Sequence, residues 1–140
     1  MPKRFNYVNI DIIKPFAIFM YNVTKWINRM AYRKNKYLVR SKIWIADDTG
    51  KVAFGLGRLR ILEAVDRLGS MNSAAAELSM SYRAVWCRIR ESEDLIGRKL
   101  VVRQGKGSAL TSFARDLMKQ FTELNIKFQD EADKMFGNLI

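Results

Sequence analysis

The sequence predicts a mainly helical domain with small β elements, arranged as a winged helix-turn-helix with an N-terminal β-hairpin and a long C-terminal helix. Two observations within residues 69–112 lead to this prediction. First, the small residues of 73–78 and the Arg-rich segment that begins at Ser81 read as two helices joined by a tight turn. Second, short apolar segments flank the basic, glycine-containing segment 104–108, as they do in a β-hairpin. This order of elements is the one that places a helix in the DNA major groove.

The net charge favours certain binding partners, and the residue types that are rare or missing exclude several kinds of catalysis and metal binding. The 140-residue chain has a net charge of +11, so polyanions are its natural partners, nucleic acid before anionic membranes. Residues 1–40 hold nine Lys or Arg against one acid, whereas residues 41–140 hold sixteen against thirteen. There is no histidine and one cysteine, Cys87, which excludes His-dependent catalysis, an internal disulfide and a cysteine-based zinc site. We therefore expect neither an enzyme nor a bound metal or cofactor.

The chain divides into a basic helical extension, residues 1–36, and a winged helix-turn-helix domain, residues 37–140. In the extension, Pro15 and a stripe of apolar residues predict an amphipathic helix over 15–33. Its apolar stretch is too short to span a membrane, and its charge order does not fit a signal peptide. Three interpretations stay open: a helix packed on the last helix or across a dimer, a helix on an anionic membrane surface, or synthesis that starts only at Met30.

Two elements precede the helix-turn-helix. Segments 39–46 and 51–54 flank the turn-forming cluster 47–50, which predicts a β-hairpin. Apolar residues at helical spacing then predict a helix over 58–68, with Gly69 as its C-cap.

N-cap residues and glycines place the helix-turn-helix itself. Asn72 is the predicted N-cap of the helix 73–78, and Ser81 is the predicted N-cap of a second helix that runs to Ile96. Gly97 ends this second helix, whose inward face is predicted to carry Val85, Ile89 and Ile96.

The wing and the last helix complete the domain. Strands are predicted at 100–103 and 109–110, around the wing segment 104–108. Either Thr111 or Ser112 caps the last helix. The apolar residues along one side of that helix are Phe113, Leu117, Phe121, Leu124, Phe128 and Met135.

The helix that begins at Ser81 is the predicted recognition helix. Arginine can bind guanine through two hydrogen bonds, and Ser and Tyr can reach phosphates or base edges. Gly105 and Gly107 are expected to let the wing lie flat on DNA, where its cations contact the backbone or the minor groove. The predicted DNA-binding residues are Ser81, Tyr82, Arg83, Trp86, Cys87, Arg90, Arg103 and Lys106.

Two of these residues have a second interpretation without a role in DNA binding. Trp86 is a large aromatic residue at helical spacing, so it could pack against the last helix instead. Cys87 could be an inert small residue.

Several motifs together carry a resemblance to a known family. They are IWIADD from residue 43, GLGRLRILEA from 55, GS from 69, AAA from 74, MSYR from 80 and GKGSALT from 105. Over residues 40–130 they look like the N-terminal DNA-binding domain of ModE-type molybdate-responsive repressors. The segments 100–103 and 110–111 are also similar to the winged helix of LysR-type regulators. The resemblance implies a homodimer paired through the last helix and the hairpin, with recognition helices in successive major grooves.

The sequence departs from the family pattern at three places. Ser79 stands where the family usually has glycine in the turn between the two helices, which implies a small cost in backbone strain. Ser92 stands where LysR-type domains commonly have leucine, which changes the packing there. The chain ends at Ile140, before the domains that bind molybdate, so we expect neither a molybdate site nor an effector domain.

The sequence thus predicts a cytoplasmic, sequence-specific transcription regulator that binds double-stranded DNA as a homodimer. Two alternatives stay open. One is a nonspecific, nucleoid-type DNA-binding protein, and the other is a membrane- or protein-interaction module anchored by residues 15–33.

Overall fold

The computed structural model describes residues 39–137 and the single position Thr24, so the rest of the predicted helix 15–33 lies outside the described residues. The described elements confirm the predicted fold class, and each of the two hairpins is an antiparallel pair of strands. In chain order the elements are β1 (Trp44–Ala46), β2 (Val52–Gly55), α1 (Leu56–Leu68), α2 (Met71–Glu77), α3 (Tyr82–Ile96), β3 (Val101–Gln104), β4 (Gly107–Leu110) and α4 (Ser112–Gly137).

The N-terminal hairpin is closed by one carboxylate and joined to α4 by one aromatic contact. Asp47 Oδ1 accepts hydrogen bonds from Thr49 Oγ1 at 2.7 Å, from Lys51 N at 2.9 Å and from Thr49 N at 3.0 Å. These bonds, led by that from the Thr49 hydroxyl, lower the pKa of Asp47. On β2 the ring of Phe54 meets the ring of Phe121 edge-on, with centroids 5.2 Å apart.

The core lies where α1, α3, α4 and the two hairpins meet. Each large aliphatic or aromatic side chain buried there stabilises the fold by about 1.5–3 kcal/mol relative to exposure. Burial of side chains from α3 in this core holds that helix in position. None of the helices in the described part of the chain combines the length and the hydropathy needed to cross a membrane. The largest fully buried apolar side chains are Phe54, Phe121, Ile61, Leu62, Leu100, Val65 and Val85.

Hydroxyl side chains cap α2 and α4. The N-cap of α2 is Ser70, whose Oγ accepts from Ser73 N at 3.3 Å, so the prediction of Asn72 was wrong. Asn72 lies one residue inside the helix, because the Ser70 cap starts α2 two residues earlier than predicted. Thr111 caps α4: its Oγ1 accepts from Ala114 N at 3.1 Å.

Further element boundaries differ from the predicted ones, among them the start of α1 and the ends of the wing turn. α1 begins at Leu56 rather than at residue 58, because Gly57 adopts the helical conformation. The wing turn is shorter than the predicted segment, since Gln104 pairs with Gly107 and leaves only residues 105–106 between the strands.

The two serines that depart from the family pattern both have a structural consequence. Ser79 has φ = 54°, a left-handed conformation that glycine adopts more easily. Ser92 is fully buried, and its Oγ accepts a hydrogen bond from Arg58 Nε at 2.8 Å. Arg58 also donates to Glu91 at 3.1 Å. A polar link between α1 and α3 therefore stands where LysR-type domains commonly have leucine.

Candidate nucleic-acid interface

α3 has one face in the core and one face in solvent. Ser81 Oγ accepts from Ala84 N at 3.0 Å and caps the helix, as predicted. Val85 and Ile89 are buried, which turns the opposite face outward. The exposed side chains on the first two turns are those of Tyr82, Arg83, Trp86 and Arg88.

A cleft of about 350 Å³ lies between α3 and the wing formed by β3 and β4; it is called the helix–wing cleft below. It is also lined by residues 70–72 at the start of α2 and by Glu93. Two elements that are separate in sequence therefore bring predicted site residues to one concave surface. The predicted residues that line this cleft are Tyr82, Trp86, Arg90, Arg103 and Lys106.

The other three predicted residues lie outside the cleft lining. Ser81 has its hydroxyl oxygen engaged in the N-cap. Arg83 is exposed on the first turn of α3, two turns before Arg90 and on the same side of the helix. Cys87 is half-buried, and its role in DNA binding stays a prediction.

Trp86 and Arg90 form a pair on the cleft side of α3. The Trp86 side chain is 44% exposed, so it is not enclosed in the core. The guanidinium carbon of Arg90 lies 5.4 Å from the centroid of its ring, within the range of a cation–π interaction. The Trp86 ring therefore lies at the surface of the cleft, and its role in DNA binding stays a prediction.

Glu93 links α3 to the wing, and sequence reasoning missed it. Its carboxylate accepts from the backbone N–H groups of Leu100 and Val101 at 2.9 and 3.2 Å, and from Arg90 and Lys99 at 3.1 and 3.2 Å. Burial works to raise the pKa of Glu93, but these four hydrogen bonds outweigh it and lower the pKa. The detectable signal was an acidic residue that falls on the buried side of a basic helix, next to Ser92.

A close backbone approach fixes the other strand of the wing. Ser108 N donates to the carbonyl oxygen of Gly69 at 2.9 Å, so β4 rests on the turn between α1 and α2. A Cβ on Gly107 would overlap that same oxygen. Glycine is therefore required at position 107 by the close approach of β4 to the Gly69 carbonyl. From the sequence alone, the same glycine is explained by the approach of the wing to DNA. Gly105 has φ = 58° and supplies the left-handed position of the wing turn.

Replacing Gly107 with alanine is expected to lower the free energy of unfolding by about 1–3 kcal/mol, since the added methyl group must displace backbone rather than a flexible side chain. Urea denaturation measures the loss, and faster hydrogen exchange at the Ser108 amide locates it. Gly57→Ala is the matched control. Gly57 is helical with open space at its Cβ, so this change should stabilise by about 0.5–1 kcal/mol. Equal stability of Gly107→Ala and the wild type would contradict the proposed contact.

Comparison with known proteins identifies the type of domain. Residues 56–115 match the bacterial regulatory helix-turn-helix proteins of the lysR family. The chain is 37% identical to the molybdenum transport protein ModE of Azotobacter vinelandii over 59% of this chain and 32% of that protein. It is 30% identical to the transcriptional regulator ModE of Haemophilus influenzae over 46% of this chain and 27% of that protein. Among solved structures, the CbnR_DBD–DNA complex is 20% identical with a TM-score of 0.49, covering 60% of this chain and 97% of that one.

The family match and the two ModE relatives confirm the resemblance to LysR-type and ModE-type regulators. The matched part of the chain spans about a third of the length of the ModE proteins or less.

Proposed function

We propose that this chain, in which residues 56–115 form a LysR-type helix-turn-helix domain, is a transcription regulator that reads DNA sequence as a homodimer. The observation that carries the proposal is the helix–wing cleft, where α3 and the wing together present Arg90, Arg103 and Lys106. One ModE relative is named a molybdenum transport protein and the other a transcriptional regulator, and neither name describes an enzyme. The proposal places the protein in the cytoplasm, where bacterial chromosomal DNA lies.

The proposed contacts follow from where each side chain lies. Arg83 is exposed at the start of α3, the part of a recognition helix that contacts base edges, and its guanidinium can bind guanine through two hydrogen bonds. Arg103 and Lys106 are exposed on the wing and would contact phosphates or the minor groove. In this proposal α3 supplies the sequence preference, and the wing supplies affinity for any sequence.

The homodimer is supported by apolar side chains that the described part of the chain leaves exposed. On α4 these are Leu124, Phe128 and Met135, which are 40%, 54% and 68% exposed. On β1 they are Trp44 and Ile45, at 55% and 39%. β1 belongs to the hairpin whose Phe54 contacts α4, so the two groups lie on neighbouring elements. Such a surface fits a second copy of the same chain better than it fits DNA.

Selection from sheared genomic DNA tests the function. The purified chain is mixed with the fragments, and the retained fragments are sequenced. Recovery of an inverted repeat with half-sites about one helical turn apart, or a multiple of it, would support a specific dimeric regulator. Uniform recovery would support the nucleoid-type alternative, and no recovery at low salt would reject DNA binding.

Two substitutions separate base reading from phosphate contact. Arg83→Ala should relax the base preference at one position of each half-site, with a loss of about 1–3 kcal/mol on the preferred sequence. Lys106→Ala should weaken binding to all sequences about equally and lower the slope of log affinity against log salt by about 1. Both are measured by fluorescence anisotropy on the selected duplex and on scrambled duplexes.

Arg88→Ala is the matched control for Arg83→Ala. Arg88 is also exposed on α3, but five residues later it points about 140° away from Arg83. The Arg88→Ala substitution therefore removes the same charge as Arg83→Ala, but from a different face of α3. If Arg83→Ala and Arg88→Ala behaved alike on preferred and scrambled sequences, the assignment of Arg83 to base reading would be wrong.

A further inference from the structure

We infer that Trp86 is a positioning residue for DNA binding: its indole ring holds the Arg90 guanidinium at the helix–wing cleft, in place for a DNA phosphate. This inference rests on the proposed function and adds to it one residue that acts through another.

Arg90 is held from two sides before any ligand binds. On one side is the Trp86 ring, one helical turn earlier, at 5.4 Å from ring centroid to guanidinium carbon. On the other side is Glu93 Oε2, 3.1 Å from an Arg90 terminal nitrogen. Glu93 is itself fixed, because its side chain is only 5% exposed and its other oxygen accepts from the amides of Leu100 and Val101. The guanidinium therefore has a defined position relative to both α3 and the wing.

The pair is nevertheless open to a ligand. The Trp86 side chain is 44% exposed and that of Arg90 is 43% exposed, and both line the cleft. A tryptophan with a purely structural role would gain more from complete burial. Guanidinium has five N–H donors, and the contact with Glu93 uses one of its terminal nitrogens. Donor capacity therefore remains for an acceptor that enters the cleft.

DNA geometry indicates which acceptor that is. The major and minor grooves of a duplex are separated by one sugar–phosphate strand. If α3 lies in a major groove and the wing contacts the adjacent minor groove, that strand passes between them, along the helix–wing cleft. Arg90 on the helix side and Arg103 and Lys106 on the wing side then face the strand from both walls. A phosphate is the group that matches a fixed guanidinium best, through paired hydrogen bonds.

Holding Arg90 in advance strengthens binding because less side-chain freedom is lost when DNA arrives. Immobilising one such side chain costs entropy. When the side chain is already held, this cost is avoided, and the affinity for DNA rises about three- to tenfold. Without the indole ring, Arg90 keeps its charge but has to be ordered by the DNA itself.

A double-mutant cycle on the selected duplex tests this inference. The variants are Trp86→Leu, Trp86→Phe, Arg90→Ala and the double variant Trp86→Leu with Arg90→Ala, with affinity measured by fluorescence anisotropy. Trp86→Leu is expected to weaken binding about three- to tenfold and Trp86→Phe to recover most of the loss, because phenylalanine restores an aromatic face. In the Arg90→Ala background, Trp86→Leu should cost less than about twofold, since two residues that act as a unit are not additive. Thermal denaturation should show the four variants folded, as both side chains are half-exposed.

The other outcomes overturn the inference in distinguishable ways. If the losses from Trp86→Leu and Arg90→Ala multiply in the double variant, Trp86 contacts DNA itself and does not position Arg90. If Trp86→Leu binds like the wild type, the indole ring has no part in binding. If the wild type shows no preference for the selected duplex, the proposed function fails first and this inference fails with it.

Discussion

Replacing Glu93 with alanine is expected to lower the free energy of unfolding by about 2–4 kcal/mol at neutral pH. The change removes the acceptor of the Leu100 and Val101 amides, which lie at the start of the wing. Leu100 is only 1% exposed, so water replaces the lost acceptor poorly there. The same change removes the anionic partner of Arg90 and Lys99.

Urea denaturation of Glu93→Ala measures this loss, and Asp94→Ala is its control. Asp94 is the next residue on α3, carries the same charge and is exposed, so its replacement should change stability by less than about 0.5 kcal/mol. Because the pKa of folded Glu93 is lowered, its contribution is present at neutral pH and is lost as the pH falls through that lowered pKa. The difference in stability between Glu93→Ala and the wild type should therefore become smaller in acid. A loss no larger than that of Asp94→Ala would mean that Glu93 does not hold the wing.

Elements that depend on local chemistry could be predicted from the sequence. α3 was predicted with both ends correct, because Ser81 supplies an N-cap and Gly97 a left-handed C-cap on either side of one apolar stripe. The predicted start of α2 is wrong, and the reason is also local. Ser70 and Asn72 are both good N-caps, and only the geometry shows that the Ser70 hydroxyl reaches Ser73 N.

Contacts between distant segments could not be predicted in the same way. The sequence predicts Gly69 as a helix C-cap and Gly107 as a residue that lets the wing lie flat on DNA, but the structure brings the two glycines together. Nothing in the local pattern of either turn specifies that approach. The buried hydrogen bond from Arg58 to Ser92 is also long-range, and the sequence showed only that leucine is absent there.

In the candidate site too, the local features could be predicted from the sequence and the long-range contacts could not. Tyr82, Trp86 and Arg90 could be placed on one side of a helix by counting residues, and the wing cations by finding the hairpin. That both groups line one cleft depends on how the wing is held, and therefore on Glu93 and Gly107. The residues that position the site were missed because they contact protein, and sequence reasoning searched for residues that contact DNA.

The second large expected effect is a change in the pH dependence of stability when Glu63 is replaced. This carboxyl group lies on α1 with only 8% of its residue surface exposed. Burial raises its pKa from an ordinary value of 4.5 to about 7, although Arg60 and Arg67 nearby work to lower it. Between these two values the folded state binds more protons than the unfolded state, so stability falls as the pH rises.

Glu63→Gln is therefore expected to stabilise the protein at pH 8 and to leave it almost unchanged near pH 4.5. One pKa unit is worth about 1.4 kcal/mol, so the gain at pH 8 should approach about 3 kcal/mol. The physical reason is that glutamine keeps the shape of the buried side chain without a charge that must leave water. Urea denaturation at several pH values between these limits measures the difference, and it should grow steadily with pH. Asp94→Asn, which alters an exposed carboxyl, should change stability by less than about 0.5 kcal/mol at either limit. A Glu63→Gln variant that is no more stable than the wild type at pH 8 would show that the ionised carboxylate is well solvated or paired in the folded protein.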